Sequence, residues 1–340
     1  MEFVFPYDSI TLTNEVNTIP NQYGLMEALN LFPSEPISTT TVLVTFADNK
    51  LRVLPEKARG DKGTPGQTGE NKGIPLQIPH FPAIDNIGPA DIQNKAMIVD
   101  GRPVPMTMAA ATAKLLMLIR RKHAITREYL RVNALKGIVK DGDGTTLADF
   151  FQLFNIVPQQ VDLVLGTAGT NIIDKVEEIY DKVHAGVVGD TVSSVEVVIG
   201  STLFSKFVQH AKVEKYWLNY QAAQGLANMQ RHGQGNDHGR TFEFGNVFFR
   251  EYKGQVPLKA GNEYLVDPVK GHAYPAGTSE TFATYDGPPH HMDRVNTPGE
   301  EIFISEKILD HGEGVETKSQ SNPLPVCKRP KALVEVISSN

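Results

Sequence analysis

The sequence predicts an α+β fold in which one long helix accompanies a domain of alternating strands and helices. The chain has 340 residues, of which 40% are hydrophobic and 21% charged, and this composition suits a soluble globular protein of one large or two ordinary domains. A helical pattern covers about residues 105–135, and from Val161 onward the sequence repeats strand, glycine turn and helix. These observations indicate an α/β domain beside a part that is organised around the long helix.

Composition and charge speak against several classes of protein. The formal net charge is -6 and the isoelectric point is about 5.9, which disfavours tight wrapping of nucleic acid by a basic face. Cys327 is the single cysteine, so the chain has no intramolecular disulfide and no thiolate cluster for structural zinc. The sequence shows no signal peptide, no membrane-spanning run and no repeat of about 20 to 50 residues.

The N-terminal 40 residues predict an arm and not a domain, because prolines at positions 6, 20, 33 and 36 keep any helix short. Residues 41–81 then predict a long two-stranded excursion. Its β-rich runs are TTVLVTF and KLRVLP, around the turn Asp48-Asn49, and IPLQIPHFPAI is the returning strand. Because an isolated hairpin is only marginally stable in water, the excursion implies a partner surface.

A glycine-rich tip lies within this excursion, with glycine at positions 60, 63, 66 and 69. A collagen triple helix needs glycine at every third position over a long run, and here the period already fails at Lys72. The stretch interleaves basic and acidic residues and cannot bury enough apolar surface to fold alone. It is predicted to be either a mobile tip or a segment that another surface orders.

The strongest helical pattern lies in PVPMTMAAATAKLLMLIRRKHAITREYLRVNALKG. Pro105 suits the start of this helix and Gly137 its end. About 30 residues at a rise of 1.5 Å give a rod of roughly 45 Å, which is long enough to cross a whole domain. The apolar residues that recur on one predicted face are Leu115, Leu118, Ile125, Tyr129 and Val132.

A hairpin is predicted after this helix, with GIV and TTLADFF on either side of the turn DGDG at residues 141–144. A calcium loop is the alternative interpretation. The EF-hand pattern requires glycine at its sixth position and glutamate at its twelfth, where this chain has Thr146 and Gln152. The hairpin is therefore favoured over a calcium site.

The α/β part contains two predicted strand-helix units, VDLVLGTAGT and SSVEVVIGS, each followed by an amphipathic helix. Thr170 and Ser201 are the predicted N-caps. Gly166 and Gly169 are better explained as turn glycines than as a phosphate loop, which would need a lysine or the dinucleotide spacing. TFEFG and PKALVEVIS are further strands. The inward-facing residues of the two helices are predicted to be Ile173, Val176, Tyr180 and Val183, and then Phe204, Phe207, Val208 and Ala211.

Two loops carry the residues that most resemble metal ligands. They are His232, Asp237 and His238 in one loop and His290, His291 and Asp293 in the other. Neither loop has a recognised ligand spacing, so exposed polar turns are the favoured interpretation and a metal site is the alternative. Cys327 is interpreted as a small buried hydrophobe. Nothing indicates a catalytic triad, so we predict no enzyme and no catalytic, cofactor-binding or metal site.

Five stretches of the sequence are informative when they are taken together, in their order and spacing. They are NTIPNQYGLMEALNLFPSEPISTTTVLVTFADNKLRVLP, IPHFPAIDNIGPADIQNK, ITREYLRVNALKGIVKDGDGTTLADFFQLFNI, FATYDGPPHHMDRVNTPGEEIF and SQSNPLPVCKRPKALVEV. They resemble the major capsid protein E family of tailed bacteriophages, the lambda-like capsid proteins. The resemblance covers about residues 9–336, and its last two stretches are the most specific.

The resemblance implies a capsid fold of the Hong Kong 97 type, and with it a division of the chain. It assigns residues 1–40 to an N-arm and 41–81 to an extended loop. Residues 82–154 and 286–340 would form the peripheral domain, with a spine helix at about 105–135. Residues 155–285 would form the axial domain, whose loops meet at the symmetry axes, and GQGNDHGR is a candidate axial loop.

The resemblance also implies the function, which is self-assembly of hexamers and pentamers into an icosahedral shell that encloses the double-stranded DNA genome of a tailed phage. Other copies of this chain would be the main partners, joined by scaffold, portal and decoration proteins. DNA would be enclosed without sequence-specific binding, and no membrane is involved. The expected location is the virion, after assembly in the host cytoplasm. No pair of residues is identified for a covalent cross-link, and a separate scaffold protein is expected.

Contacts between copies are expected at the loop tip, Glu56 to Lys72, and at the arm residues Phe3, Phe5 and Tyr7 as apolar anchors. Two alternatives remain open. One is an encapsulin-like compartment shell of the same fold, which would enclose enzymes. The other is a metal-dependent enzyme that uses the histidine loops.

Overall fold

A computed structural model describes residues 5–19, 24–45, 73–99, 101–187, 190–219, 239–259 and 261–339. The KLRVLP run, the glycine-rich tip, Phe3 and the loop with His232, Asp237 and His238 lie outside the described residues. The helices are α1 (Ser9–Thr18), α2 (Leu25–Ala28), α3 (Pro89–Ile92), α4 (Met108–Leu135), α5 (Phe150–Leu153), α6 (Ile172–Gly186) and α7 (Ser201–Gln209), and residues 211–219 are also helical. The strands are β1 (Ser34–Pro36), β2 (Thr41–Thr45), β3 (Gly73–Gln77), β4 (Phe81–Ile87), β5 (Ala96–Val99), β6 (Arg102–Pro105), β7 (Ile138–Lys140), β8 (Thr146–Asp149), β9 (Gln159–Asp162), β10 (Ser194–Ile199), β11 (Thr241–Phe244), β12 (Val247–Glu251), β13 (Gln255–Leu258), β14 (Gly261–Tyr264), β15 (Gly271–Ala276), β16 (Phe282–Asp286), β17 (Phe303–Ile308), β18 (Val315–Ser321), β19 (Pro323–Cys327) and β20 (Val334–Ile337).

The long helix α4 has 28 residues and is about 42 Å long at 1.5 Å per residue. It begins at Met108, because the Thr107 side chain accepts a hydrogen bond from the Ala110 backbone N–H, and the predicted start Pro105 instead ends strand β6. The predicted apolar face is also shifted near the N-terminus. Leu118 is 48% exposed, whereas Leu116 is buried. From residue 127 to 135 every side chain of α4 is buried, so its second half runs through the core.

The predicted α/β part is a six-stranded mixed sheet in the order β11-β12-β10-β15-β20-β9. Strand β10 is parallel to β12 and antiparallel to β15. Helices α6 and α7 contribute Val176, Ile179, Phe204 and Phe207 to one core with the sheet. The alternating burial of β11, with Phe242 and Phe244 inward, confirms that predicted strand.

Four details of the predicted helices in this part need correction. Ile173 is 46% exposed and does not face inward, and its neighbour Ile172 is buried instead. Asn171 precedes α6 as its N-cap, while the Thr170 hydroxyl donates to the Val164 carbonyl. Gly200 is the N-cap of α7, and Ser201 is the first residue of that helix. Ala211 is exposed and not inward-facing, since it belongs to the next helical segment.

The C-terminal strand β20 lies within the six-stranded sheet, between β15 and β9. It is parallel to β9 and antiparallel to β15. This placement differs from the expectation that all of residues 286–340 belong with the long helix. The physical reason is that Val334 and Val336 must be buried on one face, and the apolar core of this sheet accepts them.

Two three-stranded sheets pack on the long helix. Sheet β17-β18-β4 and helix α1 cover its N-terminal half, where Leu116 and Ile119 join their apolar cluster. Sheet β1-β16-β19 covers its C-terminal half, where Leu130 contributes to the main core. The predicted hairpin at residues 138–149 is confirmed as β7-β8, although the run TTLADFF becomes helical from Phe150.

None of the helices within the described ranges combines the length and the apolar character needed to cross a membrane.

Candidate assembly surfaces

The base of the predicted extended loop is a two-stranded sheet anchored in the main core. Strands β2 and β3 pair antiparallel, and the predicted returning strand is thereby confirmed, although it ends at Gln77 and a different sheet begins at Phe81. Burial alternates along both strands. Val44 and Leu76 are buried in the main core, whereas Leu43 is 62% exposed. Residues 46–72 therefore connect two strands whose inner face packs in the core and whose outer face is exposed to solvent.

The N-terminal segment packs on its own subunit. The Phe5 side chain is 9% exposed and joins Leu12 and Leu116 in one apolar cluster. Tyr7 is partly buried against that cluster, with its ring centroid 5.4 Å from that of Phe5. This corrects the expectation that Phe5 anchors a neighbouring copy, because its ring is already used within the subunit.

Three arginines of helix α4 attach it to the rest of the subunit through carboxylates. The Arg127 guanidinium donates to both carboxylate oxygens of Asp286, at 2.6 and 3.1 Å, and the two side chains are 3% and 2% exposed. Arg120 Nη1 lies 2.8 Å from a Glu301 carboxylate oxygen. Arg131 pairs with Glu27 of α2. The long helix is thus held by ion pairs from both ends of the chain.

The electrostatics of this cluster favour its charged state. Burial alone would raise the pKa of Glu301, but the guanidinium groups of Arg127 and Arg120 hold that pKa below its usual value. Burial opposes the charge of Arg127, and Asp286 more than offsets this, so the pKa of Arg127 is raised. The cluster is a set of mutually neutralising charges that fixes the orientation of α4.

A buried carboxyl group links helix α2, helix α4 and the segment after β12. Glu128 Oε1 accepts hydrogen bonds from the Met26 backbone N–H at 3.1 Å and from the Tyr252 hydroxyl at 3.0 Å. Burial raises the pKa of Glu128. Gly24 lies directly beside this carboxylate, so a side chain at position 24 would collide with it.

The second predicted histidine loop lines a groove at the base of the extended loop. The groove has a volume of about 1010 Å³ and lies between residues 38–41, 77–80 and 287–296. His291 Nδ1 is 3.7 Å from an Asp293 carboxylate oxygen, and the His290 ring is 6.2 Å from the ring of His80. Across the part of the chain that the structure describes, no group of three or more His, Cys, Asp or Glu residues is arranged to hold a metal.

Cys327 lies on β19 with no exposed surface, which confirms its interpretation as a buried residue. Burial raises the pKa of the Cys327 thiol to about 12, so the group is a neutral thiol at physiological pH.

Exposed apolar side chains surround the junction of β4 and the N-terminal half of α4. Ile84 on β4 is 61% exposed, and Met117 and Leu118 on α4 are 49% and 48% exposed. A groove of about 390 Å³ between these elements also includes Met106 and Leu115. Exposed apolar side chains grouped in this way are typical of a surface that another chain covers.

Sequence reasoning missed the ion-pair cluster, although a signal for it was present. Arg120, Arg127 and Arg131 lie seven and four residues apart and therefore share one helix face. That face was not considered because the predicted interior of the helix was assigned from apolar residues alone. Asp286 and Glu301 also lie in FATYDGPPHHMDRVNTPGEEIF, and their buried pairing gives a physical reason for the acidic residues of that stretch.

Comparisons with known proteins identify the family to which the chain is similar. The family described as phage major capsid protein E matches residues 8–338 of the chain. The chain is 32% identical to the major capsid protein of Salmonella phage Felix O1, over 96% of this chain and 94% of that protein. It is 28% identical to the major capsid protein of Pseudomonas phage KPP10, over 97% and 96% of the two chains.

A similar fold is found in a prophage protein of E. coli CFT073 whose crystal structure is described as that of a candidate capsid protein. The TM-score is 0.64 with 13% identity, over 99% of this chain and 100% of that one. At this identity the likeness concerns the fold alone. It supports the predicted mixed α+β capsid fold of the Hong Kong 97 type, including the long helix, which is thereby confirmed.

The function predicted from the resemblance is confirmed as well. The chain is a major capsid protein of tailed bacteriophages, a structural component of the virion that assembles with copies of itself into icosahedral capsids, and it is not an enzyme. The family match spans the N-terminal helix, the long helix and the six-stranded sheet alike. The chain therefore belongs to the phage major capsid protein E family.

Proposed function

We propose that this chain forms hexamers and pentamers, and that the resulting shell encloses double-stranded DNA without reading its sequence. The net charge of -6 supports a container that holds DNA without gripping it, because tight binding needs clustered basic residues. Scaffold and portal proteins, and a decoration protein where the phage has one, are the further partners. Their binding surfaces would be the exposed parts of the subunit described above.

We also propose a division of the subunit that keeps its six-stranded sheet within one domain. The peripheral domain comprises residues 82–154 and 286–333, which include α4 and sheet β17-β18-β4. The axial domain comprises residues 155–285 together with strand β20, which completes the six-stranded sheet. Residues 1–40 are an N-terminal arm, in which helix α1 packs on the N-terminal half of α4 and strand β1 pairs with β16.

The observation that carries the assembly proposal is the asymmetry of the extended-loop base. One face of β2-β3 is buried in the subunit core, while Leu43 on the other face is 62% exposed. A hairpin held in this way can project residues 46–72 onto a neighbour at no cost to its own subunit. We propose that the loop lies over the adjacent copy of the same capsomer.

The test is to replace residues 46–72 with the turn Asn-Gly, which joins β2 directly to β3. Because the base strands and the core are retained, we expect a folded subunit with an unchanged circular dichroism spectrum and no closed shells by negative-stain microscopy. A matched control replaces the turn residues 142–143 of the β7-β8 hairpin with Asn-Gly, and this variant should still form shells. Normal shells from the loop variant would refute the assignment.

The same preparations separate the remaining alternatives. A capsid purified from phage-producing cells should protect DNA from nuclease, whereas a compartment shell would contain protein cargo. The family match and both phage relatives favour the capsid.

A further inference from the structure

Among the described residues, a helix and not another strand covers the outer edge of strand β17. β17 is the terminal strand of the sheet β17-β18-β4, and its inner side pairs with β18 over residues 303–308. Helix α1 lies along its other side. A terminal strand normally presents a row of unpaired N–H and C=O groups to which a further strand can add.

Side chains of α1 take the place of strand partners at this edge. The Thr13 hydroxyl accepts from the Ile304 backbone N–H at 2.9 Å and donates to the Ile304 carbonyl at 3.3 Å. Asn17 Nδ2 donates to the Ile302 carbonyl at 2.9 Å. Because the backbone groups of successive strand residues alternate between the two sides, residues 302, 304 and 306 all face the outer edge.

A third polar contact extends the same line. The Ser9 hydroxyl donates to the Glu306 carboxylate at 2.5 Å. Ser9, Thr13 and Asn17 are spaced four residues apart, so they form one stripe along the helix, opposite every second residue of the strand. Four residues along α1 cover nearly the same distance as two residues along β17, so the helix stays aligned with the edge over the whole contact.

An adjacent stripe of α1 holds the helix in place through apolar packing. Leu12 is 1% exposed and Val16 is fully buried, and both lie in the cluster that includes Ile119, Ile302 and Val315. The polar stripe therefore satisfies the backbone edge at residues 302 and 304, while the apolar stripe provides the attachment. Beyond the N-terminal end of α1 the strand continues to Ile308, which is 43% exposed.

We propose that the outer edge of β17 is a strand-addition surface for a second copy of this chain, and that α1 is a guard that keeps it closed. The inference rests on the capsid function, because assembly brings many copies of one chain together and any open edge would then meet identical strands. With α1 in place, copies associate through the surfaces that build a closed shell. With α1 released, the β17 edge accepts a strand from another copy, and the copies form open-ended aggregates instead of closed shells.

The test releases α1 in the full-length chain by the double substitution Leu12→Asp and Val16→Asp. The matched control is Ile10→Asp with Asn14→Asp, which adds the same charge at the same spacing on the exposed face of α1. At a concentration where the control and the wild type have the same molar mass by light scattering, we expect the mass of the released variant to at least double. No increase over the control would overturn the proposal.

A third substitution distinguishes strand pairing at the edge from nonspecific hydrophobic association of the uncovered apolar cluster. Glu306→Pro removes an outward-facing N–H and leaves the pairing with β18 intact. Added to the released variant, it should return the mass to that of the control. Association that persists with the proline would arise from the apolar cluster, and it would contradict a strand-addition surface.

Hydrogen exchange supplies a readout that does not depend on mass. In the associated form of the released variant, the Ile304 amide should stay protected while the amides of α1 exchange quickly, and fast exchange at Ile304 would contradict the proposal.

If the charged variant fails to fold, Leu12→Ala with Val16→Ala loosens α1 through lost packing and adds no charge. It must show the same proline-sensitive association for the proposal to hold. These experiments test only the role of α1. The capsid function on which the proposal rests is tested separately, by shell formation of the wild type.

Discussion

Arg127 and Asp286 lie 159 residues apart in the sequence and form a doubly hydrogen-bonded pair in the core. The pair joins the long helix to strand β16, and a Glu301 carboxylate oxygen lies 3.6 Å from Arg127 Nε. Two parallel bonds between planar groups fix a mutual orientation as well as a distance. At the residue scale, this pair determines how the long helix sits on the subunit.

Asp286→Asn should strongly destabilise the subunit, because it removes the closer of the two counter-charges of the buried Arg127 guanidinium and leaves only Glu301, at 3.6 Å. Loss of one partner of a buried pair costs about 3 to 5 kcal/mol, and we expect a decrease of that order in the free energy of unfolding by urea titration. The control is Asp143→Asn, whose partner Lys259 and own side chain are 86% and 66% exposed. That change should stay within about 0.5 kcal/mol. A loss for Asp286→Asn no larger than the control would show that the pair is dispensable.

The sequence predicted the environment of some single residues and not of others, and the difference has a physical reason. Cys327 is interpreted as a buried hydrophobe because no motif supplies a partner base for its thiol, and its burial is confirmed. The partners of Arg127 and Glu128 are far away in sequence, and nothing local indicates which carboxylate or hydroxyl will meet them. Phe5 illustrates the same limit, because an apolar residue near a terminus is equally suited to its own core and to a neighbour's.

At the scale of elements, periodicity predicted helices and strands well and their faces less well. The long helix exists where its apolar repeat predicts it. However, Leu116 and not Leu118 is buried near its N-terminus, because α1 and β17 pack on that side. The predicted spacing was compatible with several neighbouring stripes, and the choice among them depended on elements from both ends of the chain.

Strand β20 provides a test of which part of the subunit the C-terminus stabilises. Val336 is fully buried between β15 and β9, so Val336→Thr places a hydroxyl in the core of the six-stranded sheet. We expect a loss of about 1 to 3 kcal/mol in stability. Hydrogen exchange should become faster at residues 159–163, which are far away in sequence and adjacent in the sheet.

The control for this substitution is Lys331→Thr at an exposed position just before the strand, which should leave exchange unchanged. If residues 334–337 instead belonged with the peripheral domain, Val336→Thr would accelerate exchange at residues 315–327 and spare 159–163. Either pattern is readable by peptide-resolved mass spectrometry.

At the scale of the whole molecule, two buried histidines in different regions make stability depend on pH. His123 on α4 is 4% exposed and lies 3.0 Å from the Ser319 hydroxyl. Burial, reinforced by Arg127, lowers the pKa of His123 to about 4. His272 on β15 is 9% exposed, and burial with help from Lys136 lowers its pKa to about 3. Both rings are neutral in the folded subunit at physiological pH.

The subunit should therefore become less stable as the pH falls from about 6.5 toward 4. In that window the unfolded chain binds protons at these two histidines and the folded chain does not, so acid favours unfolding. For His123 the full effect is on the order of 3 kcal/mol, from about 1.4 kcal/mol per pKa unit. We expect His123→Gln to reduce the slope of unfolding free energy against pH by close to one proton, measured between pH 6.5 and 5.

The control for the pH experiment is Met117→Gln on the exposed face of α4, which changes no titratable group and should leave the slope unchanged. A wild-type slope equal to that of His123→Gln would show that the ring takes up a proton without unfolding, and that its burial does not control acid stability.

The sequence by itself determined the class of this fold, the long helix, the strand-helix alternation of the six-stranded sheet and the stretches by which the family can be recognised. These features depend on composition and on repeats of two or 3.6 residues, which are local properties of the chain. Only the tertiary structure decided that β20 lies inside the six-stranded sheet, that α1 covers the edge of β17, and that Arg127 meets Asp286. Each of these is a contact between distant parts of the chain, and it is selected by burial and hydrogen-bond satisfaction in the assembled core, which no local pattern specifies.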